Sequence, residues 1–165
     1  LGAAAHRPEH GWRRQVLATR VGEMADARMV VLRELDADER LLVFFTDARS
    51  GKATQAVQHP MGTLVAWCPL LKWQLRLRVE LSLQADGLAV SSRWARLALT
   101  PAALDYLSPA APGTPLDPTF VPQPQGRTHF ALLSARVQAI DWLELGDTTH
   151  RRASFDAAGA RWLVP

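Results

Sequence analysis

The sequence predicts a mainly β fold: an antiparallel β-barrel with a few short helices. Short apolar runs separated by turn residues recur along the chain. One of them, Leu71 to Gln84, alternates apolar and polar at every position. The 165 residues, 48% hydrophobic and 21% charged, are enough for one domain with a real core. Six to eight strands in one domain close most naturally as a barrel.

The first strands form a meander. Val16–Val21 runs into the turn Gly22 to Asp26, Met29–Arg33 follows, and a polar turn over Asp36 to Arg40 leads into Leu41–Thr46. Ser50 to His59 reads as a helix with Ser50 as N-cap, closed by Pro60. Gly62–Trp67 is the next strand. In the alternating run after Pro69, Leu71, Trp73, Leu75, Leu77, Val79, Leu81 and Leu83 face the core, and Lys72, Gln74, Arg76, Arg78, Glu80, Ser82 and Gln84 face away.

Leu88 to Leu107 reads as helical, with Thr100 capping a second helix and Pro101 at its first position. Repeated prolines between Pro109 and Pro124 forbid a regular ladder, so 108–126 is a proline-rich loop, too long for a passive connection. His129 to Leu145 is a long strand whose apolar phase flips near Ile140 and Asp141, which predicts a bulge there. Arg151–Phe155 and Arg161–Val164 form a final hairpin around Asp156–Gly159. The whole, 1–165, is read as a single domain with an N-terminal tail over 1–11.

Composition narrows the function. The net charge of +3 comes from 19 basic and 16 acidic residues, and all but two of the basic ones are Arg. They are interspersed with acids, which argues against nucleic acid as a partner. No apolar run reaches the roughly 18 residues of a membrane span. The single cysteine, Cys68, excludes an internal disulfide framework and points to a reducing cytoplasm. The five histidines show no metal-ligand spacing, so no metal is expected. Phosphate-loop, dinucleotide, nucleophile-elbow and zinc-protease motifs are absent.

One grouping carries chemistry. Arg28 opens an apolar strand, and Ser50 and Lys52 stand at the start of a short helix just after another. A helix N-terminus offers free N–H groups, and Lys and Arg add charge, so together these suit a phosphate. The residues alone leave a second reading open, with Arg28 as a solvated strand end and Ser50 as only a cap.

The stretch Leu17 to Gln74 resembles the FMN-binding half of the pyridoxamine 5'-phosphate oxidase family. Arg28-Met29-Val30-Val31-Leu32-Arg33 stands where the family has Arg-x-Val-Leu-Leu-Lys, and Phe45-Thr46-Asp47-Ala48-Arg49-Ser50-Gly51-Lys52 where it has Tyr-Thr-Asn and then an Arg-Lys pair. His59-Pro60 and Gln74 fall at the family's spacing. Trp142, with His150 eight and Arg152 ten residues later, repeats its C-terminal pattern.

The resemblance implies a split β-barrel homodimer with FMN in each interface cleft. Arg28 and Lys52, with Ser50 and Gly51 of the cofactor loop, would hold the phosphate. The strand Met29, Val30, Val31, Leu32 and Arg33, with Phe45 and Thr46, would line the ribityl chain and ring. Gln74 would bond the polar edge of the isoalloxazine, where a solvated face is the alternative. Trp142 and Arg152 would reach in from the C-terminal segment, with a core ring the alternative for Trp142.

The departures fall on the substrate side. Thr148 and Ala110 stand where the oxidase carries substrate-binding arginines, Arg33 replaces a Lys, and Gly51 replaces an Arg; Tyr106 matches a substrate-side Tyr. The expectation is therefore an FMN-dependent oxidoreductase acting on a small-molecule substrate, with His150, Arg33 and Arg151 as candidates near the ring. The alternatives are genuine pyridoxamine 5'-phosphate oxidase activity, or flavin or haem binding without catalysis.

Overall fold

The computed structural model describes residues 1–115 and 129–165. The chain enters through a short helix α1 (Gly2–His6), packed over the barrel with Ala4 and Ala5 buried, and a 3-10 turn at Gly11–Arg13 that buries Trp12. Strands β1 (Arg14–Val21), β2 (Met24–Asp36) and β3 (Leu41–Asp47) make the expected meander. A two-residue turn with Gly22 at φ 58° joins the first pair, a conformation that glycine adopts without penalty. Helix α2 (Gly51–Gln58) leads to β4 (Met61–Cys68) and β5 (Trp73–Gln84). Helix α3 (Leu88–Leu97) and a 3-10 helix (Pro101–Tyr106) precede β6 (Phe130–Leu145), β7 (His150–Asp156) and β8 (Gly159–Leu163).

All eight strands form one antiparallel sheet in the order β3-β2-β1-β4-β5-β6-β7-β8, and a further β3–β6 pairing closes the first six into a barrel. The last two strands extend from it as a hairpin. Strand β6 serves both parts: Phe130–Arg136 pairs with β3, and Ile140–Leu145 pairs with β7. The switch falls at a bulge, where the β5 register jumps from Arg78–Ala139 to Val79–Val137 and leaves Gln138 unopposed. The bulge expected near Ile140 and Asp141 therefore lies two residues earlier, where the strand changes neighbours. An extra residue bends a strand and sharpens its twist, which suits that turn.

The core follows the two-residue period. Leu17, Leu32, Leu42, Leu64, Leu77, Val79 and Leu133 are fully enclosed in the barrel. A second cluster, with Val43, Val90, Leu97, Tyr106, Phe130 and Leu132, lies under α3 and the 3-10 helix on the outer side of β3 and β6. Three local expectations need correcting. Strand β5 starts at Trp73, because Lys72 takes φ 53° in a tight turn and leaves Leu71 exposed. The segment after Pro101 is 3-10, not α. Neither Ser50 nor Thr100 caps its helix through a side chain. Of the proline-rich stretch, 116–126 lies outside the described residues. No helix among the described residues is long and apolar enough to cross a membrane.

Candidate functional site

The site begins where two strands part. β2 pairs with β3 only between Leu32–Phe44 and Asp36–Leu41, with Arg33 as the unopposed residue of a bulge. Before Leu32, Met29–Val31 pair with β1 alone. Beyond Phe44, Phe45–Asp47 pair with β6 alone. Each strand thus presents an open backbone edge toward the gap. Unpaired backbone N–H and C=O groups need a partner from solvent or ligand.

Helix α2 adds its N-terminus and two cations. Ser50 turns its hydroxyl to Thr46 Oγ1 (3.1 Å) instead of capping α2, and both residues are buried. Lys52, in the first turn, is half-buried and makes no hydrogen bond or ion pair among the described residues. Burial pushes its ammonium below the usual lysine value, the nearby Arg28 guanidinium adds to this, and Asp47 opposes it.

Arg28 lies opposite Leu17 of β1 and reaches toward α2. Its guanidinium donates to Gln55 Oε1 (2.7 Å), to Leu17 O (3.3 Å) and to Thr19 Oγ1, and it pairs with the exposed Asp26. Gln55 Nε2 also donates to Asp26 (2.9 Å). Arg28 is therefore oriented by a polar network, with Lys52 beside it. The structure brings together Arg28, Thr46, Ser50 and Lys52, four of the residues singled out in the sequence.

A second group sits on the outer face of the sheet. The row Trp67–Gln74–Leu143–Arg152–Leu163 crosses β4 to β8, so Gln74 and Arg152 share that face with Leu143 between them. The half-buried Gln74 amide makes no hydrogen bond among the described residues. Arg152 is gripped by Asp141 (Nε–Oδ1 3.1 Å, Nη2–Oδ2 2.7 Å), which Arg76 also pairs at 2.6 Å. Hydrogen bonds from Arg152 and then Arg76 hold the Asp141 carboxyl below its ordinary value, although burial opposes them. A cleft of about 490 Å³ runs over this face between Thr63, Arg76, Arg78, Ser154 and Arg161.

Trp142 points to the opposite face. Its ring meets Trp73 edge-on at 5.2 Å, its Nε1 is buried without a partner among the described residues, and the Arg151 guanidinium lies 5.6 Å from its centroid. His150 is exposed at the start of β7. Arg33 stacks over Phe45 at 5.6 Å with its Nε buried and unpartnered among the described residues. Burial raises the Tyr106 hydroxyl's pKa while the neighbouring Arg33 pulls it down. Within one chain no hydrogen bond among the described residues joins the Arg28–Lys52 group to the Gln74–Arg152 group.

Sequence reasoning missed Asp26, Gln55, Asp47, Arg49, Arg76 and Asp141. Only the polar alternation of β5 signalled any of them, by placing Arg76 on the outer face with Gln74. Gln55 pairs from helix to strand and Asp141 across strands, which local spacing does not reveal; Asp26 and Asp47 pair with Arg28 and Arg49 two residues away, and no motif marked either pair.

These features describe a split β-barrel with an open gap between β2 and β3. No family model matches the chain. The pyridoxine/pyridoxamine 5'-phosphate oxidase of Thermosynechococcus vestitus is 43% identical over 54 residues, 33% of this chain and a quarter (25%) of that protein. A pyridoxamine 5'-phosphate oxidase-related, FMN-binding protein from Nostoc punctiforme superposes over 99% of this chain and 94% of its own, with 28% identity and a TM-score of 0.78. PhzG from Burkholderia lata, solved with tetrahydrophenazine-1-carboxylic acid, covers 99% of this chain and 88% of its own at 14% identity and the same TM-score, 0.78, a likeness of fold alone. In fold and sequence the chain is similar to pyridoxamine 5'-phosphate oxidase-related, FMN-binding proteins.

Proposed function

We propose that the protein binds FMN between two copies of the chain and acts as an FMN-dependent oxidoreductase on a small-molecule substrate. The observation that carries this reading is the gap between β2 and β3. Among the described residues it has open backbone edges, an α2 N-terminus that no side chain caps, and Lys52 beside Arg28 with no partner for its ammonium. A dianionic phosphate fits there, because each cation gains a charge-assisted bond and loses its repulsion from the other. The backbone of Met29–Val31, with Phe45 and Thr46, would then run along the ribityl chain.

A second copy completes the site. Gln74 and Arg152 belong to a different face from Arg28 and Lys52, and that face exposes Met29, Met61, Trp67 and Leu163. Pairing two such faces covers these apolar residues and lets one chain's Trp142–Arg152 segment reach the other's phosphate group. Gln74 suits an imide edge, since its amide both donates and accepts.

Bound flavin supplies hydride or electron transfer, and the protein supplies binding, orientation and electrostatics. Arg28 and Lys52 would fix the phosphate, Asp141 would hold Arg152 in one orientation, and Arg33 would offer a cation on the substrate side near Tyr106. Genuine pyridoxamine 5'-phosphate oxidase activity is disfavoured. Thr148 supplies no charge, and among the described residues Ala110 has only its carbonyl engaged, by Arg49 at 3.3 Å and by Ser108 Oγ at 3.0 Å.

The deciding experiment is the visible spectrum of the purified protein before and after FMN addition and removal of excess. A retained flavin spectrum is expected. If FMN washes through, the Arg28, Lys52 and Gln74 matches record ancestry and the reading is lost. Turnover assays with pyridoxamine 5'-phosphate are expected to show little product.

A further inference from the structure

Four of the six tryptophans form one continuous file of rings. Trp12, 7% exposed, stacks on Trp73 with centroids 6.1 Å apart. Trp73 meets Trp142 edge-on at 5.2 Å, and Trp142 meets Trp162 at 6.2 Å. Trp162, on edge strand β8, is 71% exposed. Trp67 and Trp94 stand outside the file, Trp94 packing on Phe130.

We propose that Trp162, Trp142, Trp73 and Trp12 form an electron relay between the protein surface and the barrel interior. Indole is among the side chains most easily oxidised by one electron, and adjacent π-systems in contact exchange electrons readily. Packing alone accounts poorly for two members. Trp162 contributes little burial, and Trp142 buries its N–H with no acceptor among the described residues.

The surroundings set where the oxidised centre rests. Trp73 Nε1 donates to Glu144 Oε1 at 2.9 Å, and that carboxyl is held below its ordinary value by Arg151 and then by Trp73, so it is ionised at neutral pH. An ionised acceptor stabilises a positive charge on the Trp73 ring. Trp142 has no acceptor among the described residues, and the Arg151 guanidinium over its ring disfavours a second positive charge. Trp142 is thus the point of transit, with Trp73 and solvated Trp162 the resting places.

The chemistry balances as single-electron steps. Trp142 gives one electron to a one-electron oxidant of the excited-flavin class. Trp162 replaces that electron and releases its indole proton to water. A thiolate in solvent then returns one electron, water returns the proton, and the relay is restored with that thiolate oxidised to a thiyl radical. Only the choice of flavin as oxidant rests on the FMN reading above; the relay rests on the indoles alone.

The test therefore needs no flavin. The full chain is illuminated with a soluble ruthenium polypyridyl photo-oxidant and a cobalt(III) acceptor, and oxidised tryptophans are mapped by peptide mass spectrometry. In this direction Trp162 loses the first electron and is refilled from within. Oxidation is expected at Trp73 and Trp12 despite their burial. It is expected to be lost in Trp162→Phe, which removes only an exposed ring, and in Trp142→Phe, while Trp67 is modified equally in all three proteins. The relay is overturned if Trp73 and Trp12 stay unmodified in the parent chain, or are modified as much in Trp162→Phe. Circular dichroism checks the fold of Trp142→Phe, and the Trp162→Phe result decides even if that variant unfolds. A failure of FMN to bind leaves the outcome unaffected.

Discussion

Arg49 grips Asp47 through both carboxylate oxygens, with Nη2 2.7 Å from Oδ2 and Nε 3.1 Å from Oδ1. The same guanidinium donates to the carbonyls of Ser108, Pro109 and Ala110, so one side chain ties the β3–α2 loop to the start of the proline-rich stretch. Asp47 is buried and also accepts from the Arg49 backbone N–H at 2.7 Å.

Arg49→Ala leaves that buried carboxylate without its cation, and stability is expected to fall by about 2–3 kcal/mol. Arg49→Lys should recover only part of it, because an ammonium cannot reproduce the planar fork. Urea unfolding of the three proteins measures this. A loss in Arg49→Ala below about 0.5 kcal/mol, the range of an ordinary surface change, would rule out a structural clasp.

The same pair predicts a pH dependence. Burial pushes the Asp47 carboxyl up, but the Arg49 side-chain and backbone bonds outweigh it and hold it below its ordinary value. A carboxyl depressed on folding contributes stability that is complete above its unfolded pKa, about 3.9, and is lost as pH falls through the lower folded value. Asp47→Asn should therefore flatten the stability curve below about pH 4 while the parent curve falls. Thermal melts across pH 2–6 read the difference, and parallel curves would disprove it.

The barrel was legible because its strands are written in a two-residue period. Leu75, Leu77, Val79 and Leu81 face inward as the alternation on β5 requires, and all are buried. Less visible were features set by neighbouring strands. The β6 bulge sits at Gln138 because β6 changes partners there, and apolar phase alone placed it two residues late. At the site, Arg28, Ser50 and Lys52 were readable as a cation group at a helix start. Their support Gln55 was not, since it reaches Arg28 across 27 residues of sequence. Ser50 looked like a cap by residue type, yet the buried Thr46 hydroxyl takes its side chain instead.

Leu77 sits in mid-strand on β5 between Leu64 and Ile140 and is fully enclosed. Leu77→Ala removes side-chain volume where β4 and β6 are fixed by pairing on both sides, so the space cannot close easily. A loss of about 3–4 kcal/mol is expected, within the usual range for such a cavity. Chemical denaturation of the purified protein gives the value, and a loss near 1 kcal/mol would mean that the barrel relaxes around the site.

Lys52 separates binding from stability, because the two should move in opposite directions. Its lowered pKa means that the folded apoprotein holds this proton less tightly than the unfolded chain does. At neutral pH the protonated side chain thus costs folding energy, a cost that eases as pH rises through the folded value toward the ordinary lysine pKa of about 10.4. Lys52→Met keeps the half-buried stem and drops the charge, so the apoprotein should become slightly more stable. FMN affinity should fall about 10- to 100-fold, the equivalent of one charge-assisted hydrogen bond to phosphate. In the parent, affinity should weaken at a lower pH than an ordinary lysine would dictate, and the variant should lose that dependence. Flavin fluorescence titrations across pH, paired with apoprotein melts, measure both. A variant that loses stability and keeps its FMN affinity would make Lys52 a structural residue and remove the cation that most clearly marks the gap between β2 and β3 as a phosphate site.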